Sequence, residues 1–210
     1  MMQQKEPAKA ARTLVLASGN KGKIREFQAM FDALGIRIVS QGELGVEPCD
    51  EPYMTFVENC LAKARNAARA TGLPAMADDS GLCVDALGGA PGVHSSRFAG
   101  AHGDDEANNR LLVEKLQGEA NRCAHYVCVL VAVRSPDDPE PLIADGAWLG
   151  EIQDHPAGEG GFGYDPYFYL PDAGMTAAEL SAEEKNKRSH RGKALQAMRA
   201  LLAERWGWTA

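Results

Sequence analysis

The stretch MADDSG (76–81) sets two carboxylates, Asp78 and Asp79, side by side after a short apolar run, with Ser80 and a glycine behind them. Adjacent like charges repel, and more strongly where water is partly excluded. Placed at the end of a strand LPAMA (73–77), the pair is either a solvated strand end or a site that a cation or a shared proton makes useful. Carboxylates suit a Mg²⁺ that also holds substrate phosphates, because Mg²⁺ takes few protein ligands and keeps several waters. A water polarised by metal or carboxylate is then a nucleophile for phosphorus. Glu47, Asp50 and Glu51, in the acidic VEPCDE, can reach the same cation if two strand ends are neighbours.

Two further segments carry chemistry. SGNKGK (18–23) supplies Ser18, Gly19, Asn20, Lys21, Gly22 and Lys23 at a strand-to-helix junction. Such a loop exposes unpaired N–H groups and the positive end of the helix dipole, which favours phosphate. It is not a Walker A loop, since Ile24 stands where Ser or Thr belongs. The alternative is an ordinary turn with solvated lysines. GGFGYDP (160–166) holds Phe162 and Tyr164 between glycines, suited to stacking on a flat base, with Asp165 able to accept from a ring N–H. EEKNKRSHRGK (183–193) adds Lys185, His190 and Arg191, which can bind phosphate or donate to a carbonyl oxygen. The bland reading is a core position for the two rings and a solvated helix face for the cations. His94, His102 and His125 are isolated and read as structural.

The elements that must position these groups follow from pattern. TLVLAS (13–18) is a strand, and Ile24, Phe27, Met30, Phe31 and Leu34 fall at helical spacing before Gly35. IRIV (36–39) is the next strand. Thr55 and Glu58 form a capping box for a helix ending at Gly72, with Val57, Leu61, Ala64 and Ala68 as its buried stripe. Residues 86–103 make a glycine-rich loop too long for a plain connector. Asp104 or Asp105 caps a helix to about Leu116, and 123–133 with 141–152 read as a long antiparallel hairpin. FYL is a last short strand, TAAEL and SAEEKNKRS each open with a helix-capping signature, and the final helix carries Leu195, Met198, Leu201, Leu202 and Trp206. Strands mixed with helices and one hairpin predict an α/β fold with a mixed sheet.

The whole chain narrows the classes. Its 210 residues suffice for one sizeable core or two small lobes on one sheet. A net charge of −7 with no basic stripe argues against a nucleic-acid partner. No apolar run approaches the roughly 18 residues of a membrane span. MMQQKEPAKAAR (1–12) reads as a short disordered leader before a single domain, 13–210. The five cysteines show no C-x-x-C spacing, which suits a reducing, cytoplasmic setting.

Taken in order, LVLASGNKGKIREF, TFVENCLAKARNAA, ADDSGLCVDALGGAPGVHSSRFAG, GGFGYDPYF and TAAELSAEEKNKRSHRGKAL resemble the inosine triphosphate pyrophosphatase family, also called dITP/XTP pyrophosphatases, from about Thr13 to Arg205. The resemblance implies an elongated mixed sheet with flanking helices and two lobes around a central cleft. It implies Mg²⁺-dependent hydrolysis of ITP, dITP and XTP to the monophosphate and pyrophosphate, by a homodimer. Carried over residue by residue, it makes Ser18 to Lys23 the triphosphate loop, with Lys23 also catalytic. It makes Asp79 the catalytic and metal-linked carboxylate, with Glu51 favoured over Glu47 as second ligand and Asp78 in support. Ser80 then contacts substrate; Phe162, Gly163, Tyr164 and Asp165 hold the base; and Lys185, His190 and Arg191 complete the site. The neighbouring enzymatic reading, a Maf-like pyrophosphatase, is separated by GGFGYDP and SHRGKA. A silent nucleotide sensor is opposed by the presence of Asp79, Lys23 and Lys185.

Overall fold

In the computed structural model, residues 12–19, 21–32 and 34–209 are described, with the side chains of Lys21, Gly22 and Glu26 left aside. The expected leader therefore lies outside the described residues except Arg12, which opens the first strand, and so does Asn20 of the lysine loop.

β1 (Arg12–Leu16) is apolar enough to be buried on both faces, as a central parallel strand requires. α1 (Lys21–Asp32) buries Phe27 and Phe31 and returns the chain to β2 (Ile36–Ser40), which pairs with β1 in parallel. α2 (Phe56–Thr71) starts at the expected capping box: Thr55 accepts from the Glu58 N–H and donates to its carboxylate at 2.6 Å. β3 (Ala75–Val84) joins β1 in parallel, and α3 (Asp105–Lys115) is capped by Asp104. The hairpin of β4 (Cys123–Val133) and β5 (Leu142–Ile152) matches its sequence reading. β6 (Phe168–Leu170) and β7 (Met175–Thr176) extend the sheet, and α4 (Ala182–Arg188) precedes α5 (His190–Trp206). The result is one seven-stranded mixed sheet ordered β2-β1-β3-β4-β5-β6-β7, with flanking helices, as the α/β expectation required.

Three elements depart from the sequence reading. The acidic pair does not end a strand. β3 continues through it for ten residues because Asp78 pairs with Leu130 and Asp79 with Val129 on β4. The stripe of α2 is turned from the predicted phase: Asn59, Cys60, Ala64, Ala67 and Ala68 are buried, whereas Val57 is 36% exposed. TAAEL starts no helix. Thr176 and Glu179 do exchange cap-like hydrogen bonds, but Thr176 belongs to β7 and also donates to the Ala157 carbonyl.

The length of the central strands explains the cleft. Eleven residues of β4 span roughly 36 Å at ~3.3 Å per residue. No single core covers that length. One end of β3 packs Met76 with Leu14, Phe27 and Leu130, and its other face packs Ala75 and Ala77 against α2. The far end packs Leu82 and Val84 with Tyr126, Trp148 and Phe168. The carboxylates fall at the join. β1 pairs with β3 only as far as Met76, and residues 90–95 take up β3 again from Leu82 to Val84; the stretch between, with Asp78, Asp79 and Ser80, lies outside the carboxyl end of β1, where open α/β sheets place their ligands.

α5 lies close on β5 at one glycine. A Cβ added to Gly146 would stand 2.2 Å from the His190 carbonyl and 2.8 Å from the Ala194 nitrogen. Gly146→Ala is therefore expected to destabilise by about 1–3 kcal/mol and to lift the first turn of α5. Urea denaturation checks it; a variant as stable as the parent would show that the approach is not tight.

Candidate active site

The open edge of β3 lines a cleft of about 770 Å³. Side chains alternate along a strand, so neighbouring Asp78 and Asp79 point to opposite faces of the sheet and meet different cations.

Asp78 faces α1 and α5. Both of its oxygens accept from Lys23 Nζ, at 3.0 and 2.8 Å, and Arg191 Nε stands 3.8 Å away. Lys23 comes from the first turn of α1 and Arg191 from the first turn of α5, so the carboxylate draws two helix N-termini to one point. Burial alone would push the Asp78 carboxyl up, but Lys23, Arg191 and Lys63 outweigh it and hold it at about 2. Arg191 also donates to Ser80 Oγ at 3.3 Å.

Asp79 faces α2. Its Oδ1 lies 3.3 Å from Lys63 Nζ, and Glu51 lies 2.9 Å from the same nitrogen. The other oxygen, Oδ2, is buried and has no hydrogen-bond partner among the described residues. Burial, then the nearby Glu51 and Asp78 charges, push the Asp79 carboxyl above its ordinary value against the pull of Lys63. Burial opposes the charge of Lys63, yet Asp79, Asp78 and Glu51 prevail and hold it well above the usual lysine range. Of the three acidic candidates in VEPCDE, Glu51 lines the cleft; Glu47 and Asp50 do not. Glu51 and Asp79, one oxygen of it unsatisfied, thus converge on a single positive charge. Such a hard oxygen donor pair fits a Mg²⁺ that takes its remaining ligands from water and phosphate.

The 160–166 loop is built around Asp165, which is 3% exposed. Its Oδ2 accepts from the Phe162 N–H at 2.8 Å and from Lys185 Nζ. That carboxylate is turned inward, and its acceptor capacity goes to the loop rather than to a ring N–H in the cleft. Gly163 is held from α3, its N–H donating to Asp105 and its carbonyl accepting from Asn109, each at 2.8 Å. The two aromatic candidates separate. Phe162 is 57% exposed, with Lys185 Nζ 4.7 Å from the ring centroid, and offers a stacking face. Tyr164 lines the wall but is 4% exposed and donates its hydroxyl to the Ser95 carbonyl at 2.7 Å, so the expected stacking falls on Phe162 alone.

His190 caps this end of the cleft. Burial, reinforced by the charges of Arg191 and Lys185, lowers its pKa well below 6.5, so the imidazole is neutral near pH 7. Its Nδ1 has no hydrogen-bond partner among the described residues. Ser18, Gly19, Lys23, Ser80, Phe162, Gly163, Tyr164, Asp165, Lys185, His190, Arg191, Asp79 and Glu51 all line the one cleft. Of the remaining candidates, Asn20 and the side chains of Lys21 and Gly22 lie outside the described residues.

Sequence reasoning missed Lys63, Asp105, Asn109, Tyr126 and His102. Lys63 had a signal: Asn59, Lys63 and Ala67 share a helix face at i, i+4 spacing, and a lysine in a buried stripe needs a partner. His102 lines the cleft rather than the core.

Lys23 on Asp78, Lys63 between Asp79 and Glu51, and the exposed Phe162 ring beside Lys185 line one cleft, which suits a small molecule that joins a polyanion to a flat heterocycle. Residues 14–201 match the Ham1 family, and the chain belongs to it. The family resemblance carried by the sequence motifs thus holds. The chain is similar to a dITP/XTP pyrophosphatase of Chromobacterium violaceum, 64% identical over 189 residues that cover 90% of this chain and 96% of the relative. It is 60% identical over 206 residues to a dITP/XTP pyrophosphatase of Burkholderia pseudomallei, covering 97% and 99%. Among solved structures, a HAM1 protein from Coxiella burnetii superposes with a TM-score of 0.89 at 46% identity, covering 92% of this chain and 99% of that one.

The neutral state of His190 has a consequence for stability. Below pH ~6.5 the unfolded chain takes up a proton there that the native state refuses. Stability is then lost as pH falls, by up to ~1.4 kcal/mol per pH unit for this proton. His190→Gln removes that contribution, so between pH 7 and 5 the melting temperature of the variant is expected to fall less than the parent's. Equal slopes would mean that His190 protonates freely in the folded protein.

Proposed function

We propose that the protein hydrolyses non-standard purine nucleoside triphosphates, ITP, dITP and XTP, to the nucleoside monophosphate and pyrophosphate. The observation that carries this is that Asp79, with one oxygen unsatisfied among the described residues, lines the same cleft as Lys23 and Phe162. The similarity to proteins named dITP/XTP pyrophosphatases supports the same reading.

The triphosphate lies along the Ser18–Lys23 loop, where the N-terminus of α1 and the Lys23 ammonium favour anions. Lys63 adds to the positive lining, and Arg191, 3.8 Å from Asp78 and 5.9 Å from the Phe162 ring centroid, stands between the phosphates and the base. Asp79 Oδ2 accepts a hydrogen bond from the attacking water and aims it at the α-phosphorus; the leaving pyrophosphate gains its charge beside Lys23. Mg²⁺, held by Asp79 and Glu51, would supply charge neutralisation of the phosphates when bound.

Selectivity rests on the other end. Phe162 stacks on the purine, and Lys185, Arg191 and His190 face its edge. Hypoxanthine and xanthine carry an oxygen at C6 that accepts from such donors, whereas adenine carries an amino group and leaves them unpaired. Unpaired buried donors support discrimination of ~10⁴-fold or more.

A homodimer in the cytoplasm completes the proposal. Ile143 and Leu149, 49% and 75% exposed on one face of β5, support an apolar subunit contact. All five cysteines are free thiols, which supports a reducing compartment. No described helix is long and apolar enough to cross a membrane.

Pyrophosphate release from ITP, XTP, GTP and ATP, with and without Mg²⁺, tests the proposal. Release is expected from ITP and XTP, and removal of Mg²⁺ with a chelator should abolish it. Asp79→Asn is expected to lower kcat by ~10²–10⁴-fold with an unchanged circular dichroism spectrum. Near-parental turnover in that variant, or release from ATP alone, would overturn it.

A further inference from the structure

Tyr126 sits on β4, facing the second core cluster, and nothing in its sequence context distinguishes it from a packing residue. Two contacts set it apart. Its ring lies flat against the His190 imidazole, with centroids 4.7 Å apart and planes within 11°. Its hydroxyl donates to Asp165 Oδ1 at 3.4 Å, while Asp165 Oδ2 holds the Phe162 N–H and Lys185. One side chain therefore touches both halves of the base end: the loop after Gly161 and the first turn of α5.

The surroundings leave it little freedom. Phe168 packs against the Tyr126 ring at 4.6 Å, and Trp148 lies 6.5 Å from both Tyr126 and His190 in near-parallel planes. Burial, then the Asp165 carboxylate, push the phenol well above its ordinary value, so the hydroxyl stays a donor. His190 needs such a support. A neutral imidazole offers one N–H and one lone pair, both in the plane of the ring, so that plane sets the direction in which the donor can point. The Nδ1 atom has no hydrogen-bond partner among the described residues, so the plane of the ring rests on the flat contact beneath it.

We propose that Tyr126 is a positioning residue for purine selectivity: by stacking on His190 and binding Asp165 it holds the imidazole in the orientation that recognises an oxygen at C6. The proposal rests on the function given above and deepens it, since it names the group through which the base is read. Tyr126 touches no reacting atom. It acts through His190 on discrimination rather than on the phosphorus.

Three measurements test it in the full-length protein. The first is kcat/KM for ITP and for ATP in the parent, Tyr126→Leu and Tyr126→Phe. Tyr126→Leu is expected to lower the ITP/ATP ratio at least tenfold, through the ITP arm, and Tyr126→Phe, which restores a flat ring, to recover most of that loss. A folded Tyr126→Leu that keeps the ratio within twofold overturns the proposal. The second is the proton NMR of His190, assigned by difference with His190→Gln. Its ring protons should be shifted upfield by the stacked phenol in the parent and in Tyr126→Phe, and IMP should move them further without removing that shift. Unshifted His190 protons overturn the proposal even if Tyr126→Leu fails to fold. The third separates the two claims: a parent that prefers ITP, with selectivity indifferent to Tyr126, defeats this inference alone, whereas a parent without any preference defeats the functional reading beneath it.

Discussion

A carboxylate buried in the middle of a sheet needs opposite charge beside it, and in this chain that requirement organises the site. Asp78 is 3% exposed and is compensated by Lys23 and Arg191, residues from the two ends of the sequence. Removing one partner of such a group leaves a buried charge uncompensated, which costs several times what an exposed ion pair contributes. The helix N-termini that carry Lys23 and Arg191 are thereby held at the same strand, and the start of α1 and the first turn of α5 are brought to one cleft.

The sheet's alternation completes the arrangement. Because side chains switch faces at each residue, Asp78 can be neutralised by α1 and α5 while Asp79, its neighbour, meets Lys63, which Glu51 shares, on the α2 side. The repulsion expected of two adjacent acids is largely avoided. What differs is satisfaction: Asp78 has both oxygens on Lys23, whereas Asp79 keeps one buried oxygen without a partner among the described residues. The first is satisfied by the protein, and the second keeps an acceptor that no described residue fills. The same division recurs at the base end, where Asp165 is consumed in holding the loop and Phe162 is left exposed.

The parts legible in the sequence are those whose causes are local. The capping box at Thr55, the helix after the lysine loop and the β4–β5 hairpin rest on spacings within a few residues, and each was readable. The motif blocks also pointed to one site, and the structure brings Ser18, Lys23, Asp79, Phe162, Lys185, His190 and Arg191 from them to one cleft. What escaped depends on contacts across the chain. The pair MADDSG looked like a strand end because two acids after an apolar run usually meet water; only the pairing of Asp78 with Leu130 keeps the strand going. Lys63 was hidden by a misjudged phase of α2. Tyr126 is one aromatic among apolar residues on β4, and its place under His190 exists only because Gly146 lets α5 approach the sheet.

The most direct test of this arrangement is a crystal structure of Asp79→Asn with ITP and Mg²⁺. The triphosphate should lie against Lys23 and the first turn of α1, with hypoxanthine on Phe162 and its C6 oxygen toward His190 and Arg191. A nucleotide bound the other way round, with its base against α1 and its phosphates at Phe162, would contradict the division of the cleft on which the functional reading depends.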